Sequence, residues 1–313
     1  MRRWSSWISS SSSEIIDNLL AEKEQAVANE DFLKAHELKK QIDRIRASSS
    51  SPPIDDDEPS LTAGIALDLE NSIELHQGDY RFPPMSEVPC TLKGSFIQKL
   101  IKPKDADMLW QWYESMGNLE GDPSWAELWP SASSLAASLV NRKDMIQGET
   151  VFELGAGLGA AGLVAASLGA KQVVLMDREP YALHCAMSSA SINNLTNVQA
   201  AVVDWSSPDF QEQYSNSAGV ILGSDILYDP ETVDALANLI SDCSQESGGR
   251  MWVTDPKIER VQGLRKKFVD ALESTGAVTS ISDLPKTPVY GSCYTETSEP
   301  DRTVLIEAVW GES

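Results

Sequence analysis

The sequence predicts an α/β fold, a seven-stranded, mainly parallel sheet with helices on both faces, preceded by a small helical hairpin. Three observations carry this. From Val151 onward, short apolar runs alternate with helix-length segments, the pattern of strand and helix units around a parallel sheet. The first run ends in a glycine-rich turn, Gly155-Ala156-Gly157-Leu158-Gly159, that leads into small and aliphatic helix formers. The last two runs, near 278–281 and 303–310, make a terminal hairpin that gives the sheet an antiparallel edge.

Taken in order, residues 1–13 are basic, serine-rich and free of acid, and are expected to be disordered; an organelle leader is the second reading, although Glu14 and Asp17 follow at once. Over 14–46, Ile15, Ile16, Leu19, Leu20, Val27, Phe32, Leu33, Leu38, Ile42 and Ile45 recur at helical spacing, and the stretch Ala28-Asn29-Glu30-Asp31 offers a break and a cap. Two short helices folded on each other satisfy that pattern. Glu30, Asp31, Phe32, Ala35, Leu38 and Ile42 resemble the UVR motif, a helical hairpin of protein–protein contacts. So short a segment rarely builds its own core, and a protein partner through residues 14–46 is therefore expected. Residues 47–60 mix Ser, Pro and Asp and read as a disordered linker.

The remainder, 61–313, reads as one main domain with an N-terminal extension. Within the extension, 65–75 alternates apolar and polar residues, 90–101 suggests a further strand, and 104–114 a short helix with Trp110, Trp112 and Tyr113. Pro130 is placed to open a helix over 131–141 and holds Trp129 at its mouth. Past Asp177, Pro180 opens a helix to about 193. Strands at 198–204, 220–222 and 251–254 then alternate with helices at 231–242 and 261–274.

The segment 151–177 reads as strand, turn, helix and strand with no spare residues. Glycines 155, 157 and 159 permit a turn without Cβ atoms and close approach of a ligand, and the helix behind them presents unpaired N–H groups. Asp177 ends the second strand, where a carboxylate can accept hydrogen bonds from ribose hydroxyls. A nucleoside ligand follows, in a Rossmann-like setting. Gly157, Gly159 and Gly162 also satisfy G-x-G-x-x-G, with Asp177 at the distance a dinucleotide site requires, so the motif alone leaves both ligands open. Asp204 and Trp205 end the third strand at the same edge, suited to an adenine amine and ring.

Glu153, in the order Glu-Leu-Gly-Ala-Gly-Leu-Gly, resembles the first motif of class I S-adenosylmethionine-dependent methyltransferases. With Trp129-Pro130, Asp204-Trp205 and the D-x-x-Y run Asp225-Ile226-Leu227-Tyr228, the chain over about 125–310 resembles the methyltransferase-like group of protein-lysine methyltransferases. The resemblance implies S-adenosylmethionine held by Trp129, Glu153, Gly155, Ala156, Gly157, Asp177, Asp204, Trp205 and Ser224. It implies catalytic roles for Asp225 and Tyr228 toward a substrate lysine of a protein. Leu158, where many members carry Thr, and the Pro130-Ser131 pair depart from the pattern. Three alternatives stay open: methylation of a small molecule or another side chain, a cofactor-binding but inactive interaction protein, and an NAD-dependent oxidoreductase.

With 47 acidic against 25 basic residues the net charge is −22, which disfavours binding to a phosphate backbone and suits a basic protein partner. The four cysteines are far apart and no histidine cluster accompanies them, so free thiols, no metal and a cytoplasmic setting are expected, with nuclear or organelle targeting as second readings. No apolar run reaches the ~20 residues needed to span a bilayer.

Overall fold

The structure, a computed structural model, describes residues 76–77, 80–81, 85–89, 97, 99–115, 121–205, 214–245, 248–285 and 303–311. The expected disordered N-terminus, hairpin and linker of residues 1–60, the 65–75 segment, Cys90 and Cys293 lie outside them. The chain divides into two units. In the smaller, β1 (His76–Gln77) pairs antiparallel with β2 (Tyr80–Arg81), and α1 spans Ala106–Ser115. Asp105 caps α1 by accepting the N–H groups of Asp107 and Met108 at 2.9 and 3.1 Å.

The larger unit begins with an antiparallel pair outside the main sheet, β3 (Met85–Pro89) and β4 (Lys99–Pro103). The expected strand over 90–101 is thus replaced by two strands that flank most of that stretch. Prolines at the ends, Pro89 opposite Lys99 and Pro103 opposite Met85, bound the pairing because proline lacks the N–H that would extend it.

The same unit contains the predicted seven-stranded sheet. Its strands are β5 (Thr150–Leu154), β6 (Gln172–Asp177), β7 (Val198–Val202), β8 (Val220–Ser224), β9 (Arg250–Pro256), β10 (Val278–Asp283) and β11 (Thr303–Val309). In space they run β10-β11-β9-β8-β5-β6-β7, all parallel except β11, which is antiparallel to both neighbours. The antiparallel strand therefore lies one place in from the edge.

The helices of this unit are α2 (Pro130–Leu139), the single-turn α3 (Lys143–Ile146), α4 (Ala160–Ser167), α5 (Pro180–Ile192), α6 (Val233–Cys243) and α7 (Leu264–Ser274). Alternation along the strands sorts them into two layers. Phe152, Leu154, Val174, Met176, Ile221, Met251 and Val253 pack with Leu236, Ile240, Phe268 and Leu272 of α6 and α7. Their neighbours Val151, Val173, Leu175 and Trp252 point to the other face, toward α2 and α4, and are all buried. Helix α4 is apolar all round, with seven of its eight residues buried, because it lies between the sheet and α2. Helix α5 covers β6 and β7 and also packs on β4, where Ser189 Oγ accepts the Ile101 N–H at 2.7 Å.

Among the described residues Cys185 and Cys243 are free and buried, and burial raises both thiols to about 12, which leaves them protonated and inert. Among the described residues, no helix is long and apolar enough to cross a membrane and no three side chains that could hold a metal ion cluster.

Candidate active site

The topology decides where a ligand goes. From β5 the chain winds outward through β6 and β7, then returns to the other side of β5 to lay down β8 and β9. Between β5 and β8 the connections leave in opposite directions, so a crevice opens beyond their carboxyl ends. Leu154 pairs with Gly223 at that edge, so the glycine turn beginning at Gly155 and the loop beginning at Asp225 emerge side by side.

On the β5 side, Gly155, Gly157 and Gly159 have φ of 59°, 51° and 72°, the left-handed region that explains three glycines in five residues. A Cβ on Gly155 would lie 2.8 Å from Ile226 Cγ2 and 3.5 Å from Trp205 Cη2. Ile226 of the D-x-x-Y run and Trp205 thus converge on the turn. Asp177 Oδ2 accepts the Gly157 N–H at 2.8 Å, and Oδ1 accepts the Glu179 N–H at 2.9 Å. One carboxylate therefore fixes both the tip of the turn and the chain leaving β6. Trp205 is half-buried against the core beside the turn, whereas Asp204 is exposed. Ala156 is buried, its N–H bonded to the Met176 carbonyl at 3.0 Å.

Glu153 faces α4, as its alternation with Phe152 requires. Its Oε2 accepts the Gly162 N–H at 2.7 Å, and a Cβ on Gly162 would stand 2.6 Å from that oxygen and collide with Leu175 Cδ2. Glu153 therefore clamps the first turn of α4 to β5. Burial raises its pKa from 4.5 to about 8; the Gly162 and Ala161 N–H groups pull it down and Asp177 pushes it up. The folded chain then binds a proton that the unfolded chain has released, so this group's contribution to stability falls as pH rises from about 4.5 to about 8. Glu153→Gln abolishes that slope. In urea unfolding it should gain on the native protein by on the order of 2 kcal/mol between pH 6 and pH 9; parallel stability curves would contradict the assignment.

On the β8 side, Asp225 has φ +58°, uncommon for a residue with a Cβ, and its N–H bonds the Thr254 carbonyl at 2.8 Å, extending the β8–β9 pairing. Arg260, on the connection from β9 to α7, donates Nε to Asp225 Oδ1 at 2.7 Å and Nη2 to Oδ2 at 2.6 Å. The same guanidinium sits 4.7 Å from the centre of the Trp129 ring. These three side chains, with Ser131, Ile258 and Glu259, line a cavity of about 300 Å³. Behind it, Asp255 is buried and paired with Arg265 at 2.5 Å, with its carboxyl pushed up to about 6 mainly by burial.

The sequence-predicted residues therefore fall into two groups. Glu153, Gly155, Ala156, Gly157, Asp177 and Trp205 gather at the glycine turn, with Ser224 half-buried at the end of β8 and Asp204 on the outer edge. Trp129 and Asp225 meet each other across Arg260. Trp129 caps α2 with extended backbone, as Pro130 at the first helical position dictates, and its ring faces a cation. Tyr228 is half-buried on the same loop as Asp225 and does not line the cavity. Arg260 was not legible: 35 residues separate it from Asp225, and no spacing rule links the ends of β8 and β9.

A family model described as "Lysine methyltransferase" matches residues 114–275, just over half of the chain, and takes in both groups of site residues. The chain belongs to the lysine methyltransferase family. A second model, the UvrB/uvrC motif, matches residues 13–48, over the expected hairpin. Among similar proteins, the electron transfer flavoprotein beta subunit lysine methyltransferase of Danio rerio is 29% identical over 43% of this chain and 50% of that protein. The Xenopus laevis protein of the same name is 28% identical over 55% of this chain and 66% of its own. The histone-arginine methyltransferase METTL23 of Rattus norvegicus is 33% identical over 35% of this chain and 49% of its own. The chain thus spans about half to two thirds of the length of these relatives.

A lysine methyltransferase needs a methyl donor, and the glycine turn fits S-adenosylmethionine: backbone with no Cβ at Gly155 and Gly157, an aromatic face at Trp205, and a carboxylate at the end of β6.

Proposed function

We propose that this chain transfers a methyl group from S-adenosylmethionine to the side-chain amine of a lysine in a protein. The observation that carries the reading is the adjacency, at one strand-order switch point, of a glycine cradle and a cation pocket built from Trp129 and Asp225. Gly155, Ala156, Gly157, Asp177, Trp205 and Ser224 hold the donor, Asp204 closes its outer edge, and Glu153 keeps the turn in shape from behind.

The bound donor supplies a methyl carbon activated by a sulfonium. Everything else is alignment and desolvation by the chain's own residues. Asp225 attracts the acceptor's ammonium and holds its nitrogen at the mouth of the crevice. The Trp129 face adds attraction for the cation and excludes water from one side. A free lysine titrates near 10.4, so the ammonium must give its proton to water before the nitrogen attacks, and Tyr228, on the loop of Asp225, is proposed to orient the neutral nitrogen. No covalent nucleophile is needed.

One observation favours a second acceptor. Asp225 already grips a guanidinium through both oxygens, and a similar rat protein is named a histone-arginine methyltransferase. An arginine side chain would make the same fork. The UVR motif over 13–48 is proposed to recruit a protein partner, and the acidic surface to favour a basic one. Isothermal calorimetry on the full chain tests the donor: saturable binding of S-adenosylmethionine with no heat from NAD is expected. Binding of NAD alone would overturn the reading.

A further inference from the structure

The cavity beyond the ends of β8 and β9 already contains a cation, and it belongs to the protein. Arg260 meets Asp225 through two parallel hydrogen bonds and covers the Trp129 ring, so its guanidinium occupies both features that would recognise an incoming amine. The Asp225 side chain is only 5% exposed and that of Arg260 18% exposed, so solvent screens the pair little. Arg260 is the cation that pairs with Asp225. The second arginine, Arg265, is committed elsewhere, to Asp255 Oδ2 at 2.9 and 2.5 Å and to the Pro256 carbonyl. Glu259 is occupied by the backbone N–H groups of Gly263 and Arg265.

The segment that carries Arg260 faces solvent on both sides of it. Lys257 and Ile258 before it are exposed, Ile258 at 84%, and Gly263 after it has φ +81° with nothing near the place of a Cβ. By contrast, Trp129 and Asp225 are fixed at the ends of α2 and β8. A half-site at the ends of a helix and a strand faces a cation on a solvated connection.

We propose that Arg260 is an internal stand-in for the acceptor, a specificity-determining latch that a substrate cation must displace from Asp225 and Trp129. The inference rests on the reading of Asp225 as the acceptor-binding carboxylate. Displacement exchanges one cation for another, so no charge is left uncompensated in the pocket. Acceptors that compete poorly, such as isolated amines, are turned away. A segment whose neighbouring residues also engage the exposed Ile258 is admitted. If the latch is closed about nine-tenths of the time, the apparent affinity for an acceptor is lowered about tenfold.

The test uses the full chain and n-butylammonium as a lysine side-chain probe, with sodium as the ionic-strength control. In Arg260→Ala, n-butylammonium should bind about tenfold more tightly than in the native protein, by calorimetry. Arg260→Lys should lie between, and Asp225→Asn combined with Arg260→Ala should bind none. S-adenosylmethionine affinity should stay unchanged in Arg260→Ala, which also reports that the variant is folded. Equal n-butylammonium affinity in native and Arg260→Ala proteins, or binding that survives Asp225→Asn, overturns the latch. Because the readout is binding, a chain that methylates nothing would sink the proposed reaction, and the affinities would still decide the role of Arg260.

Discussion

Asp177→Ala is expected to weaken S-adenosylmethionine binding about a hundredfold or more while the sheet stays folded. The side chain has two tasks. It holds the Gly157 and Glu179 N–H groups at 2.8 and 2.9 Å, and in the proposed function it receives the donor's ribose hydroxyls. A hydrogen bond to a charged group contributes about 1.5–3 kcal/mol, and two such bonds are removed from the bound state. The turn also loses its anchor, since Gly157, at φ +51°, is held through its N–H. Asp177→Asn separates the effects, because its carbonyl oxygen can still accept from Gly157 while the charge is gone; an intermediate loss by calorimetry is expected. A normal affinity in Asp177→Ala would remove the nucleoside assignment of the β6 end.

Asp225→Asn is the second large effect, and it should fall on transfer rather than on the donor. Asparagine tolerates the φ of +58° that Asp225 adopts, and it keeps the outline of the side chain, so the loop should stay in place. The charge proposed to draw the acceptor is lost, and with it the charge-assisted fork to Arg260. Methylation should drop by about a hundredfold to a thousandfold, with donor affinity changed by less than about twofold. Loss of donor binding in parallel would mean that Asp225 supports the fold and does not bind the acceptor.

Strands β5, β6, β8 and β9 were readable because each is a short apolar run bounded by turn residues, as parallel strands buried on both faces produce, whereas β10 is largely exposed and shows only Val278 and Ile281 among polar residues. Strand order was not, since order depends on which helix crosses which face. The β3–β4 pair was legible only as a vague strand near 90–101: each partner is five residues long and bounded by proline, and its packing against α5 is a tertiary matter. At the site, the glycine turn and Asp177 could be found from spacing because a single strand–turn–helix unit builds them. Glu153 was marked by its position, but its link to Gly162 follows from the pleat and the tight α4 contact. Trp129 drew attention as the residue before a helix-opening proline, yet the cation over its ring comes from the connection after β9. The cavity between Trp129, Asp225 and Arg260 is assembled from three distant segments, and only the fold brings them together.

The central claim, methyl transfer to a protein side-chain amine, is tested most directly by incubating the full chain with a cell extract and isotopically labelled S-adenosylmethionine, then locating the label by mass spectrometry. The expected result is label on a lysine of a protein, absent when Asp225→Asn replaces the native chain. Label on arginine would move the acceptor to the second reading. Label confined to a small metabolite, or none in any protein while the donor binds normally, would contradict the claim.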